Sequence, residues 1–224
     1  VGGGTYDLLT KNHDKILASY DIDVRIKKVL DKDEQKLADK VKPEQVCHSI
    51  DEILEDDSIS IVVEVMGGTN PAYDFTKKAL MAKKSVVTSN KELVATKGFE
   101  LLTLAKENNV NFLFEASVGG GIPIIRPLSR CLAGNNVNEV AGILNGTSNF
   151  ILTKMIVDGM SFADALKLAQ ELGYAEKDPT ADVEGFDALR KICILASLCF
   201  GTHVYPDGIY TEGISKITLE DVAF

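Results

Sequence analysis

Apolar positions along the first half of this chain switch repeatedly between helical spacing and short strand-like runs. Tyr6, Leu8, Leu9, Ile16 and Leu17 keep a helical period, which predicts a helix from about Gly4 to Tyr20; Asp23 to Leu30 reads as a strand. Ser49-Ile50-Asp51-Glu52 has the form of a capping box opening a short helix to Glu55. Ile59 to Met66 is rich in β-branched residues, the pattern of a strand covered on both faces. Pro71 stands where a helix over Ala72 to Lys83 would begin. Ser85 to Thr88 is a further buried strand, Glu92 to Glu107 a helix, and Asn111 to Ala116 another strand. Strands alternating with helices in one direction predict an α/β fold with a Rossmann-type, doubly wound parallel sheet.

The character changes after Ser117. Val118-Gly119-Gly120-Gly121-Ile122-Pro123 reads as a hinge, so the expected division is a dinucleotide-binding domain over 1–117 and an α+β domain over 118–224. In the second part a helix is expected from about Ile124 to Leu132 and a strand near Glu139 to Leu144. Helices follow at Ser148 to Asp158, Ser161 to Leu172 and Glu184 to Phe200. No apolar strand precedes Val1-Gly2-Gly3-Gly4, and no closing element precedes Phe224, so both ends are expected to be incomplete.

Composition narrows the class. With 224 residues, 45% hydrophobic and 25% charged, the chain suits a soluble globular protein of one large or two modest domains. A net charge of −9 argues against a nucleic-acid or anionic-membrane partner, which would call for clustered Lys and Arg. Apolar runs such as Ile192 to Phe200 are far shorter than the roughly 20 residues a bilayer requires, and nothing resembles a secretory leader. Cys47, Cys131, Cys193 and Cys199 are scattered without metal-ligand spacing, as expected of reduced thiols in a cytoplasmic protein.

Three places carry candidate chemistry. The opening glycines suit the tail of a phosphate-binding turn at a helix N-terminus, although a glycine-rich loop of no function has the same look. Met66-Gly67-Gly68-Thr69-Asn70 and Thr88-Ser89-Asn90-Lys91 follow strands, where ligands gather in parallel sheets. A surface lysine is the plain reading of Lys91, but a cation is disfavoured at a helix N-terminus and needs another reason there. The third place is the acidic stretch with Glu176, Asp178, Asp182 and Asp187. Asp187 and Lys191 share a helix face; the plain reading is an exposed i,i+4 pair. The helix turns apolar after Lys191, however, and a partly buried lysine beside an aspartate suits proton transfer.

Taken together, VVEVMGGTNPA (62–72), VVTSNKELVA (86–95), FEASVGGGIPII (114–125), LNGTSNFILTKM (144–155) and GYAEKDPTADVEGFDALRK (173–191) resemble homoserine dehydrogenases, in that family's order. The LNGTSN and GYAEKDP…GFDALRK segments are specific, whereas the glycine-rich pieces alone are not. The resemblance implies a Rossmann domain, a dimerisation region and a catalytic domain with a mixed sheet. It also implies reduction of aspartate 4-semialdehyde to homoserine with NADP or NAD, a step of threonine and methionine biosynthesis, in a homodimer. Val1 and Gly2 would end the dinucleotide turn, with Gly67, Gly68, Thr88, Asn90 and Lys91 as further cofactor contacts. Lys191 would donate the proton with help from Lys91; Glu176 and Asp187, with Asp182 of the same acidic stretch, would bind the substrate. Backbone carbonyls of Glu115, Val118, Gly120 and Ile122 would hold a sodium ion.

Departures bear on these expectations. The family's first strand, its C-terminal segment and any regulatory domain have no counterpart in the sequence. Where the family often carries an arginine for a 2′-phosphate, the chain reads Leu30-Asp31-Lys32: Asp31 suits a ribose hydroxyl and Lys32 a phosphate, so both cofactors stay open. Two rivals remain at this level. An acylating semialdehyde dehydrogenase needs an activated cysteine with a histidine partner, and neither Cys131 nor His13, His48 and His203 marks one. A nucleotide-sensing module without catalysis would make the Asp187–Lys191 pair structural.

Overall fold

The architecture comes from a computed structural model of residues 1–224, which describes every residue except Glu34, Lys36, Ala38, Ala223 and Phe224. The chain forms two compact units, Val1–Thr88 with Glu100–Leu113, and Ser89–Phe99 with Phe114–Phe224.

The first unit opens with helices α1 (Gly2–Lys11) and α2 (His13–Tyr20), not one continuous helix. The break falls at Asn12, whose backbone leaves the helical region at φ −104° and ψ 14°. Strand β1 is confined to Val29–Leu30 and pairs in parallel with β2 (Val46–Cys47). The expected longer strand from Asp23 fails where Asp23, Arg25 and Lys27 make ion pairs in solvent instead of a ladder. Helix α3 (Asp51–Leu54) keeps its capping box in part: Glu52 accepts the Ser49 amide and the Ser49 hydroxyl accepts that of Asp51. Strands β3 (Ile61–Glu64), β4 (Ser85–Thr88) and β5 (Phe112–Leu113) pair in that order, all in parallel. Helix α4 (Ala72–Met81) buries Ala72, Thr76, Ala79 and Leu80. The expectation that β3 is covered on both faces does not hold in this chain. Ile61 and Val63 are exposed while Glu64 is buried, because side chains alternate and only one face meets helix α4.

Helix α5 (Lys91–Glu107) contributes residues to both units. The second unit is built mainly on α6 (Gly146–Asp158), α7 (Phe162–Glu171), the single turn α8 (Thr180–Val183) and α9 (Phe186–Phe200); α10 (Leu219–Val222) follows. Ile151 and Met155 of α6 meet Ala165 and Ala169 of α7, with Ala175 and Val183 closing the cluster. Alanines let the two helices approach closely, and each large buried side chain contributes roughly 1.5–3 kcal/mol. Asn145 and Ser161 cap α6 and α7 with their side chains.

Two expectations for this unit are corrected. The helix expected from Ile124 contains a widened turn over Pro127–Cys131, closed by the Leu132 amide on the Pro127 carbonyl. Leu128 still donates to Ile124 O at 3.1 Å, so the helix opens with a regular bond and widens only at the turn that follows. Pro127 stands in the first turn, where its missing N–H costs nothing. Residues 139–144, expected as a strand of a mixed sheet, are not in a ladder, and the second unit contains no strand pair among the described residues. A strand needs a hydrogen-bonding neighbour, and periodicity alone cannot supply one.

Backbones approach most closely where α9 begins. Ile214 donates its amide to Val183 O at 2.7 Å, and a Cβ on Gly185 would meet Glu212 O at 2.9 Å. Gly185 also sits at φ +82°, in the left-handed region. Gly159, at φ +63°, has nothing within 4 Å of such a Cβ. Gly185→Ala is therefore expected to cost more stability than Gly159→Ala, which should lose about 1 kcal/mol. Urea unfolding of the two variants checks that order.

Candidate functional site

The site lies within the second unit, and three stretches of chain far apart in sequence build it. Asn90 accepts the Leu93 amide at 3.0 Å and so caps α5, which places Lys91 in the first helical position. The reason for a cation there is Asp187: Lys91 Nζ lies 2.5 Å from its Oδ1. Asp187 stands in the first turn of α9, and Lys191, one turn on, reaches its Oδ2 at 2.7 Å. The Asp187 side chain is 5% exposed and that of Lys191 17%, so this is not the solvated i,i+4 pair of ordinary helix surfaces. Beside it, Arg190 pairs with Glu92 at 3.1 Å, a second bridge between the same two helices.

The third stretch enters through Asn145. Its Oδ1 accepts the Ser148 amide at 2.7 Å, while its Nδ2 donates to Asp182 Oδ1 at 2.6 Å and to Asp187 Oδ2 at 2.8 Å. The preceding carbonyl, Leu144 O, accepts from Lys191 Nζ at 2.8 Å. Burial pushes the Asp187 carboxyl up, but hydrogen bonds from Lys191, Lys91 and Asn145 outweigh it and hold the group below the ordinary range. The result is a carboxylate that stays ionised with an ammonium on each oxygen.

These groups line a cavity of about 520 Å³. Lys91, Asp182, Asp187 and Lys191 form its charged side; Gly146, Thr147, Phe150 and Tyr174 join Asn145 around the rest. Thr147 donates its hydroxyl to Tyr174 O at 2.7 Å, and the Phe150 and Tyr174 rings lie 4.9 Å apart, tying the 174 loop to α6. Such a space takes a small polar metabolite.

The residues singled out from sequence are distributed unevenly. Lys91, Asp182, Asp187 and Lys191 come together. Glu176 is exposed and lies outside the cavity lining. Thr88 is buried and donates its hydroxyl to Glu64, also buried. Val1 caps α1, and a Cβ on Gly2 would come within 3.0 Å of Val65. Gly67 and Gly68 follow β3 with open space where side chains would be. Glu115 uses its carboxylate on the amides of Ile124, Ile125 and Arg126. Asn145, Thr147, Phe150 and Tyr174 had been given no role. An asparagine three residues before Ser148, opening an apolar helix, was a readable cap signal; its second use on two carboxylates was not.

Relatives of known identity share this arrangement of sequence. Residues 1–115 match the family described as "Homoserine dehydrogenase, NAD binding domain", and residues 123–224 match "Homoserine dehydrogenase". The homoserine dehydrogenase of Bacillus subtilis is 44% identical over 225 residues, covering all of this chain and 52% of the relative. The crystal structure of a homoserine dehydrogenase from Thiobacillus denitrificans superposes with a TM-score of 0.93 at 42% identity, covering 100% of this chain and 52% of that one. A hyperthermophilic archaeal homoserine dehydrogenase mutant, in complex with NADPH, gives 0.84 at 29% identity, with 100% and 72% coverage. The chain thus spans about half the length of the curated relatives it matches. With both of its halves matched, and two lysines gathered on one buried aspartate in the stretches that carry the likeness, the chain belongs to the homoserine dehydrogenase family.

Proposed function

We propose that this protein reduces L-aspartate 4-semialdehyde to L-homoserine with a nicotinamide cofactor. The observation that carries this reading is the pair of ammonium groups held by Asp187 at the edge of a polar cavity. An ammonium has three donors. Lys191 directs two at Asp187 Oδ2 and Leu144 O, which leaves a third for a substrate oxygen.

The residues present fit a dinucleotide. Helix α1 offers backbone amides at an N-terminus lined by Gly2, Gly3 and Gly4, and the turn at Gly67 and Gly68 is unobstructed. The NADPH bound by the archaeal relative supports the same class of cofactor here. Val1, Gly2, Gly67, Gly68 and Lys91 are assigned to it, Thr88 and Asn90 acting through backbone and cap because their side chains are engaged internally. When bound, the reduced nicotinamide supplies the hydride that goes to the aldehyde carbon. Lys191 gives its proton to the aldehyde oxygen, which becomes the hydroxyl of homoserine, and the charge on Lys91 stabilises the oxygen as negative charge builds on it. Asp187 orients both amines. Asp182, in the cavity lining, is left for the substrate ammonium, which sets an amino acid apart from a plain aldehyde. Glu176 is assigned to the same group by its place in the acidic stretch, its side chain being exposed and outside that lining.

Several finer assignments accompany this reading. The carbonyls of Val118, Gly120 and Ile122 accept no hydrogen bond among the described residues, and with Glu115 O they are assigned to a sodium ion, a hard cation that takes oxygen donors. Residues 139–144, unpaired and with Ile143 79% exposed, are assigned to a homodimer contact. The free cysteines suit the cytoplasm. An acylating mechanism is disfavoured because burial raises the thiols of Cys47, Cys193 and Cys199, the reverse of activation, and among the described residues no histidine is hydrogen-bonded to the exposed Cys131.

The intact protein should interconvert homoserine and its semialdehyde with a matching change in nicotinamide absorbance; no turnover with either NAD or NADP would refute the assignment. Lys191→Ala should lower kcat by about 10²–10⁴-fold, the range for losing a positioned acid. Near wild-type turnover would exclude Lys191 as the donor. Asp187→Asn should lower both activity and melting temperature at neutral pH, since two ammonium groups lose their common anion. The folded carboxyl titrates below its ordinary value of 3.8, so its contribution to stability is fully present above that pH. It is lost as pH falls through the lower folded value. The gap in melting temperature between wild type and Asp187→Asn should therefore stay constant from pH 5 to 8, as approximate bounds, and narrow only in stronger acid.

A further inference from the structure

Among the described residues, Asn145 is the amide side chain that lines the cavity, and its orientation is fixed by what it touches. Because Oδ1 takes the Ser148 amide at the start of α6, Nδ2 must face the other way, toward Asp182 and Asp187. Two carboxylates that approach one point repel each other unless a donor stands between them. Asn145 is that donor, and it shares Asp187 Oδ2 with Lys191. It is 8% exposed and lines the same cavity.

We propose that Asn145 is a positioning residue for the reduction assigned above, clamping Asp182 and Asp187 so that the Lys191 ammonium is aimed at the substrate oxygen. The clamp acts through geometry on both sides of the lysine. Leu144 O, one residue before Asn145, and Asp187 Oδ2, on the far side of its amide, are the two acceptors that hold Lys191. The cap on α6 therefore sets the position of an amine carried by α9. It also gives the neighbouring Asp182 and Asp187 carboxyls a common donor, on the side of the cavity where a cationic group of the substrate would bind. The titratable and charged groups facing the amide are Asp182 from α8, Asp187 and Lys191 from α9, and Lys91 from α5, with Tyr174 on the same cavity.

The cap and the clamp can be separated by substitution. Serine caps a helix about as well as asparagine but carries no amide donor. Asn145→Ser in the intact protein should keep the α6 cap and remain folded at assay temperature, while kcat falls about ten- to hundred-fold, the equivalent of one charge-assisted hydrogen bond. The Asp187 carboxyl, followed by carbon NMR, should titrate higher than in the wild type. Asn145→Asp keeps both cap and volume but sets a third carboxyl against two, so that one of them holds a proton to higher pH. Its kcat relative to wild type should rise as pH falls, because a proton restores a donor. Wild-type kcat in Asn145→Ser, an unshifted Asp187 titration, or a flat pH ratio in Asn145→Asp would each overturn the clamp. Should Asn145→Ser fail to fold, Asn145→Asp decides. Absence of homoserine turnover in the wild type would sink the assigned reaction instead, and the NMR titration would still report on the clamp.

Discussion

Everything in the candidate site hangs on a carboxylate that is nearly out of water. Asp187 has both oxygens committed, to Lys91 on one side and to Lys191 and Asn145 on the other. Burying a charge is costly unless hydrogen bonds replace its hydration, and removing one member of such a set strands the others. The arrangement is therefore all or nothing: the aspartate stays ionised because three donors surround it. The two lysines in turn are held close together, despite like charge, because the aspartate lies between them.

The fold brings those donors together from elements that would otherwise have no reason to meet. Lys91 is delivered by the start of α5, where Asn90 ends the loop and begins the helix. Asn145 is delivered by the cap of α6, and Asp187 with Lys191 by the first turns of α9. The entry to α9 is fixed by close backbone packing, Gly185 against Glu212 and Gly213 against Val183. Arg190 with Glu92 adds a second bridge between α5 and α9. Helix termini carry the charged side chains of the cavity, and the apolar middles of the same helices hold those termini in register.

Membership of the homoserine dehydrogenase family accounts for the two family matches that this one chain carries, over residues 1–115 and 123–224. It does not by itself explain which residue does what. Glu176 belongs to a stretch that closely follows the family, yet its side chain is exposed. Asn145 belongs to another such stretch and is central. Likeness marks segments; geometry assigns work within them.

Much of the architecture was legible in the order of residues. The alternation of strand and helix up to Leu113, the strand at Ser85–Thr88 and the apolar helix ending at Phe200 follow from local spacing, which is set by backbone geometry. The suspicion attached to Lys91, a cation at the wrong end of a helix, was likewise a local argument, and its resolution is the contact with Asp187. Other features depended on the rest of the chain. Residues 139–144 have strand-like sequence but no neighbour to pair with, and Ile61 and Val63 have a β-branched pattern but an uncovered face. Whether the Asp187–Lys191 pair lay in water or in a cavity, and whether Asn145 merely capped a helix or also bridged two carboxylates 37 and 42 residues away, was decided by docking alone. Periodicity fixes which face of an element is apolar. It carries no information on which other element that face will find, and the charge state, burial and aim of a side chain all depend on that second fact.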